Sequence, residues 1–244
     1  MKHLAIVAVM ACAVTSAPMV QAQDYAFQGF ATADAMNQMH AAMRDNMMEP
    51  SSQARAPSRS VAAPGRRTTV QTTYRSSPAV STRVRAQFAE FIERTSGREA
   101  AERTRSAFQS GDPIASWAGI VREDGLRTGD LADAMAAYWI LNWIMANQGD
   151  NNRTQALAVR DQVRGVIGGS PAVARLGDAG RQEMAEVLML NFLVQQATYV
   201  DAMQRGDQAM MRRLGDAAVA RFRNEMGVDL RRLQLTDAGL VSAS

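Results

Sequence analysis

Met36, Met39, Met43 and Met47 recur at spacings of three, four and four residues, with His40 beside them. On a helix these spacings put the thioethers on one face. Thioether and imidazole are ligands that suit Cu(I), so the cluster is a candidate soft-metal site. The same pattern describes an unbranched, adaptable apolar face built to pack on the chain's own domain or on a partner helix. Packing alone accounts for the spacing, which leaves Cu(I) as the alternative. Glu183 and Glu186, three residues apart, also share a helix face. A carboxylate pair in a cleft can do acid–base work, and glycoside cleavage requires two such groups flanking the scissile bond. One turn of a single helix does not place them across a substrate. With Arg153, Arg160, Arg164 and Arg181 close in sequence, and Asn142, Asn147, Gln162 and Gln182 within or beside apolar stretches, a structural ion-pair and amide network is the better reading. A cell-wall glycan hydrolase is the least favoured function.

What is missing narrows the chemistry further. There is no cysteine after Cys12, no lysine after Lys2 and no histidine after His40. A Ser-His or Cys-His nucleophile pair, a Schiff-base lysine and a His/Cys zinc site therefore have no residues in the C-terminal two-thirds. The expectation is a non-enzymatic binding or interaction module, with no catalytic residue and no cofactor unless copper(I) is bound.

The beginning of the chain reads as an address. Lys2, an apolar run over residues 4–14 and the small-residue ending Val20-Gln21-Ala22 form a signal peptide pattern, too short to span a bilayer. Cleavage after Ala22 would leave Gln23 first and send the protein to the periplasm or outside the cell. Cys12 makes a weak lipoprotein match, and without it the exported chain has no disulfide partner. Residues 23–49 form the Met-rich amphipathic segment. Residues 50–79, rich in Pro, Ser, Thr, Ala and Arg, read as a disordered basic linker. Between Glu49 and Glu90 the charges are all positive, from Arg55, Arg59, Arg66, Arg67, Arg75, Arg83 and Arg85. Such a run suits an anionic envelope surface or an envelope protein partner; export makes nucleic acid the poorer match.

Residues 80–244 read as all-α, a single bundle of six to seven helices with no alternation of period two. The first helix spans 81–95, a polar one follows to Ser110, and Asp112-Pro113 opens a short helix carrying Trp117 and Ile120. Gly125 and Gly129 mark a turn. Asp130 caps a helix over 131–147 that is apolar on every side, and the long segment over 179–205 is similarly continuous. These two belong at the centre. Helices over 152–167 and 208–226 pack around them, and 227–240 forms a turn of helix and an extended clasp.

Residues 131–138, Trp143 with Asn147, Arg160 with Gln162 and Arg164, residues 182–186 and residues 227–240 together resemble an uncharacterised family of exported, all-helical proteobacterial proteins. The resemblance covers the chain from Trp117 onward and implies fold and compartment. It carries no activity, ligand or site residue.

Overall fold

The computed structural model describes residues 32–48 and 71–243. The signal pattern, Cys12 and the linker arginines at 55, 59, 66 and 67 lie outside these residues. The described residues form nine helices: α1 Ala33–Met48, α2 Pro78–Ser96, α3 Arg98–Ser110, α4 Pro113–Val121, α5 Leu131–Asn147, α6 Arg153–Gly168, the single turn α7 Pro171–Ala174, α8 Asp178–Gln204 and α9 Gln208–Met226. A 3-10 turn, Leu230–Arg232, leads into an antiparallel hairpin of β1 Leu233–Thr236 and β2 Gly239–Ser242. The all-α bundle stands as expected, with this hairpin as its only sheet among the described residues.

The helix starts follow from local chemistry. The Asp112, Asp130 and Asp207 side chains accept from the backbone N–H of Ile114, Ala132 and Met210, each satisfying a donor that the first helical turn leaves unpaired. Asn152 and Gln155 form a reciprocal capping box at α6. At the other end of α9, Gly227 has φ 66°, the left-handed conformation that closes a helix at little cost when no Cβ is present.

Helix α5 buries 14 of its 17 residues, so it has almost no solvent face. It packs against α6, α8, α9 and the 3-10 turn. Its close approach to α9 depends on Gly215, where an added Cβ would stand 2.5 Å from the Met145 carbonyl oxygen. Its partner α8 is buried without interruption from Gln182 to Leu193; beyond Leu193 the buried Gln195, Tyr199 and Ala202 are separated by half-buried and exposed positions.

Two expectations are corrected here. The linker does not run to Ala79: Thr73 forms a β-bridge with Asp130, Tyr74 N–H donates to the Gly129 carbonyl at 2.9 Å, and α2 begins at Pro78. Backbone pairing with the α4–α5 loop, which composition does not encode, draws residues 72–77 onto the domain. Of the arginines in the basic run, Arg83 pairs with Glu183 at 3.0 Å and Arg85 with Asp112 at 2.7 Å, so these two serve the domain. The clasp of residues 227–240 is a true hairpin in which Leu233 and Leu235 point inward. Four residues of alternation are too few to stand out in sequence.

The hairpin is pinned by side chains from the central helices. Trp143 Nε1–H donates to the Leu233 carbonyl at 2.9 Å, and Asn147 Nδ2–H to that of Leu230 at 3.1 Å. The Gln162 amide both donates to and accepts from the Leu240 backbone, each at 2.9 Å, and also donates to Asn46 Oδ1 at 3.0 Å. The apolar face of α1 is filled by the chain's own domain, on α6, α7, α9 and β2, so the docking expected of it is intramolecular.

Gly215→Ala should destabilise the protein by about 1–3 kcal/mol, although alanine is the better helix former, because the methyl must displace backbone of α5. Urea denaturation measures this, and a neutral or stabilising result would show that the α5–α9 contact tolerates separation.

Candidate functional site

The sequence-predicted site residues are together but not open. Met36, Met39, Met43 and Met47 are exposed by 3% or less and belong to the one continuous core. The His40 ring lies 5.9 Å from that of Trp139 and 6.4 Å from that of Tyr138. Trp139 Nε1–H donates to His40 Nδ1 at 3.3 Å, which requires the neutral imidazole with its proton on Nε2. Burial lowers the His40 pKa from 6.5 to about 3. A Cu(I) ion reaching the thioethers would have to enter between α1 and the domain. Among the described residues no group of three His, Cys, Asp or Glu side chains is placed to hold a metal ion.

Glu183 and Glu186 face α2 and the start of α1. Glu183 accepts from Thr32 Oγ1 at 3.1 Å and from Arg83 Nη2 at 3.0 Å; Glu186 Oε1 accepts from Ser81 Oγ at 2.7 Å and from Gln182 Nε2 at 2.8 Å. Gln182 in turn holds Ser77 through both its backbone groups. This is a junction that fastens α2 to α8. A second junction joins the α4–α5 loop to α6: Arg164 reaches Asp130 at 2.6 Å and Asp133 at 3.2 Å, and Arg127 N–H donates to Asp133 at 2.8 Å. Burial, then the charge of Asp130, pushes the Asp133 carboxyl above its usual range. A third lies inside the bundle, where the fully buried Arg221 on α9 donates to Asn142 Oδ1, whose own amide N–H bonds the Tyr138 carbonyl at 2.8 Å. Each junction uses buried polar groups that are paired across helices, as low-dielectric surroundings demand.

The open feature is elsewhere. A cavity of about 830 Å³ lies between α4, α5, the C-terminal half of α8 and the start of α9. Ala137, Ile140, Leu141 and Ile144 present one face of α5 to it, and Phe192, Tyr199, Val200 and Met203 one face of α8. Its polar end is built by two loops. Glu123 and Asp124 come from the loop after α4, and Gln148, Asp150 and Asn151 from the α5–α6 connection, with Arg153 at the first position of α6. Asn151 Nδ2–H donates to Asp124 at 2.8 Å, and Arg153 Nη1–H donates to the Glu123 carbonyl at 3.2 Å. Arg153 lies over Gly125, whose φ is 79° and whose added Cβ would stand 2.9 Å from the guanidinium carbon.

At this end the carboxylates act on one another. Burial pushes the Asp124 carboxyl above its usual range, and the charges of Asp150 and Glu123 push the same way, against the Asn151 hydrogen bond and Arg153. Tyr199, 5% exposed, is raised by burial alone. Gln148 has φ 50° and is the only non-glycine residue with positive φ among the described residues. It is the left-handed C-cap of α5, its backbone N–H donating to the Ile144 carbonyl, a common way for a helix to close.

The match to a family extends over residues 1–243. The chain belongs to the family of unknown function DUF6683. The match takes in the Met-rich segment that the resemblance from Trp117 onward left out, in keeping with the packing of α1 as part of the domain. No curated protein and no solved structure matches the chain. No described helix is long and apolar enough to cross a membrane.

Sequence reasoning missed the cavity. Its signal was present in the apolar face shared by Tyr199, Val200 and Met203 at the end of α8, and in the polar clusters Glu123-Asp124 and residues 148–153 that end the flanking elements. Nothing in sequence tells that these clusters meet.

Because folded His40 resists protonation while the unfolded chain titrates near 6.5, the unfolded state binds more protons between these values. The stability held by neutral His40 is complete above pH 6.5 and declines as pH falls toward 3. At pH 5 the loss should be about 2 kcal/mol. His40→Gln, which keeps an acceptor for Trp139, should flatten the difference in urea midpoint between pH 7 and pH 5; an unchanged slope would place His40 outside the acid response.

Proposed function

We propose that this protein is an exported, non-enzymatic binding module that holds a small amphiphilic ligand in the cavity between α5 and α8. The observation that carries the reading is the cavity itself. Its volume of about 830 Å³ falls within the roughly 300–1,000 Å³ of small-molecule sites, and it combines apolar walls with a few converging polar groups. The residue inventory supports binding over catalysis. Among the described residues the cavity lining contains no histidine, cysteine, lysine or serine, and Glu183 and Glu186 are committed to the α2–α8 junction. Its walls come from rigid helices and its polar end from loops, a division that suits shape recognition of an apolar body and selection of a polar head. Export rests on the signal pattern of residues 1–22, and the family assignment leaves the compartment open.

Trp117 makes an edge contact with Phe192, their ring centroids 6.4 Å apart, so an occupant of the cavity is reported by tryptophan emission. N-phenyl-1-naphthylamine should bind with enhanced probe fluorescence. Val200→Trp, at a half-buried wall position, should weaken that binding at least tenfold while leaving the melting temperature within a few degrees. Equal binding by both proteins would remove the cavity from consideration. For export, mass spectrometry of the protein secreted or released from the cell envelope should find a mature chain beginning at Gln23; recovery of full-length protein in the cytoplasm alone would refute that part.

A further inference from the structure

We propose that the cavity selects an uncharged amphiphile whose head both donates and accepts hydrogen bonds, a hydroxyl or a carboxamide, received by Gln196 and Tyr199; the inference rests on the cavity being a ligand site. The ionic side chains that line the cavity are already committed within the protein. Asp124 accepts from Asn151 Nδ2–H at 2.8 Å, Arg153 Nη1–H donates to the Glu123 carbonyl at 3.2 Å, and Glu123 and Asp150 are each partnered as well. An ion entering between the apolar walls would leave water without finding an uncommitted counter-charge among the lining residues, and burial on those terms is costly. A neutral head carries no such cost.

The hydrogen-bonding capacity left open belongs to neutral groups. Gln196 and Tyr199 stand one turn apart on α8, on the face turned to the cavity. Gln196 is half-buried, and its carboxamide makes no hydrogen bond among the described residues. Tyr199 is 5% exposed, yet its hydroxyl is not one of the polar atoms sealed by packing, and it too bonds to no described residue. The ring is thus held by the protein while the oxygen stays open where the residue lines the cavity. Gln148 and Gln208 bring further carboxamides to the rim. A carboxamide and a phenol each offer a donor and an acceptor. Their complement is a head that offers both, as a hydroxyl or a carboxamide does, whereas an ether only accepts and an ammonium only donates. The walls give the body: Leu141 and Ile144 on α5 stand across from Phe192 and Met203 on α8 and suit an alkyl chain.

The full chain is tested at pH 7 by competition with N-phenyl-1-naphthylamine and by calorimetry, using octanol, octanamide, heptyl methyl ether, octylamine and octanoate. Heptyl methyl ether is the isomer of octanol that accepts a hydrogen bond and cannot donate one. Octanol and octanamide should bind about fivefold tighter than the ether, the worth of one hydrogen bond, and about tenfold tighter than octylamine or octanoate. Tyr199→Phe and Gln196→Leu should each weaken octanol and octanamide about threefold and leave the ether unchanged. A residue that only packs would move all of them together. Should Gln196→Leu fail to fold, Tyr199→Phe decides by the same comparison. The ether binding as tightly as octanol, octanol unaffected by either variant, or a variant weakening the ether as much as octanol overturns the hydrogen-bonded head. Octylamine or octanoate binding tightest overturns the uncharged head. If N-phenyl-1-naphthylamine binds and none of the amphiphiles competes, the head-group assignment falls while the cavity stands. If that probe itself does not bind, the reading of the cavity falls and takes this inference with it.

Discussion

Helix α5 carries apolar side chains all around its circumference, and a helix of that kind must be enclosed by protein on every side. The architecture follows from meeting that demand. α8 covers one side, α6 and α9 cover others, and the C-terminal 3-10 turn packs beside its last turns. Trp139 and Tyr138 face the remaining opening, where α1 brings His40 and its stripe of methionines. The Met-rich helix is thus part of the enclosure. Unbranched thioether side chains adapt to the irregular surface left between helices, which explains why methionine recurs on that face.

Enclosure also governs where polar groups are tolerated. Charges taken from water must find partners, and here the partners lie on other helices: Arg164 with Asp130 and Asp133, Arg83 with Glu183, Arg221 with Asn142. Such pairs add little net stability when weighed against desolvation, yet breaking one leaves an uncompensated buried charge. At the α2–α8 junction Glu183 accepts from Thr32 and Arg83, and Glu186 Oε1 from Ser81 and Gln182, while Glu186 Oε2 is buried with no hydrogen bond among the described residues.

The cavity arises where enclosure is incomplete. Beyond Leu193 the α8 helix continues past the region packed by α2, while the α4–α5 and α5–α6 loops stand at its side. Apolar faces of α5 and α8 are left opposite each other with space between them. The loops that border the space carry Glu123, Asp124 and Asp150. Gln148, the left-handed cap that closes α5, is in the same rim.

Much of the helical frame was legible in the sequence because its signals are local. Asp112, Asp130, Asn152 and Asp207 announce helix starts by the donors they can satisfy, Gly227 announces an end, and the all-round apolarity of residues 131–147 announces burial. The residue inventory was also legible: no histidine, cysteine or lysine follows His40, so the helices after α1 are built without these side chains. Tertiary structure alone decided the rest. The methionine stripe is periodic in either use, and only the position of α1 beneath Trp139 turns it into core. Residues 72–77 look like linker until the Gly129 and Asp130 backbone pairs with them. The carboxylates of the cavity, more than twenty residues apart in sequence, become one electrostatic feature only when the two loops are brought to the same mouth, since Coulomb interactions depend on distance in space and sequence order carries none of it.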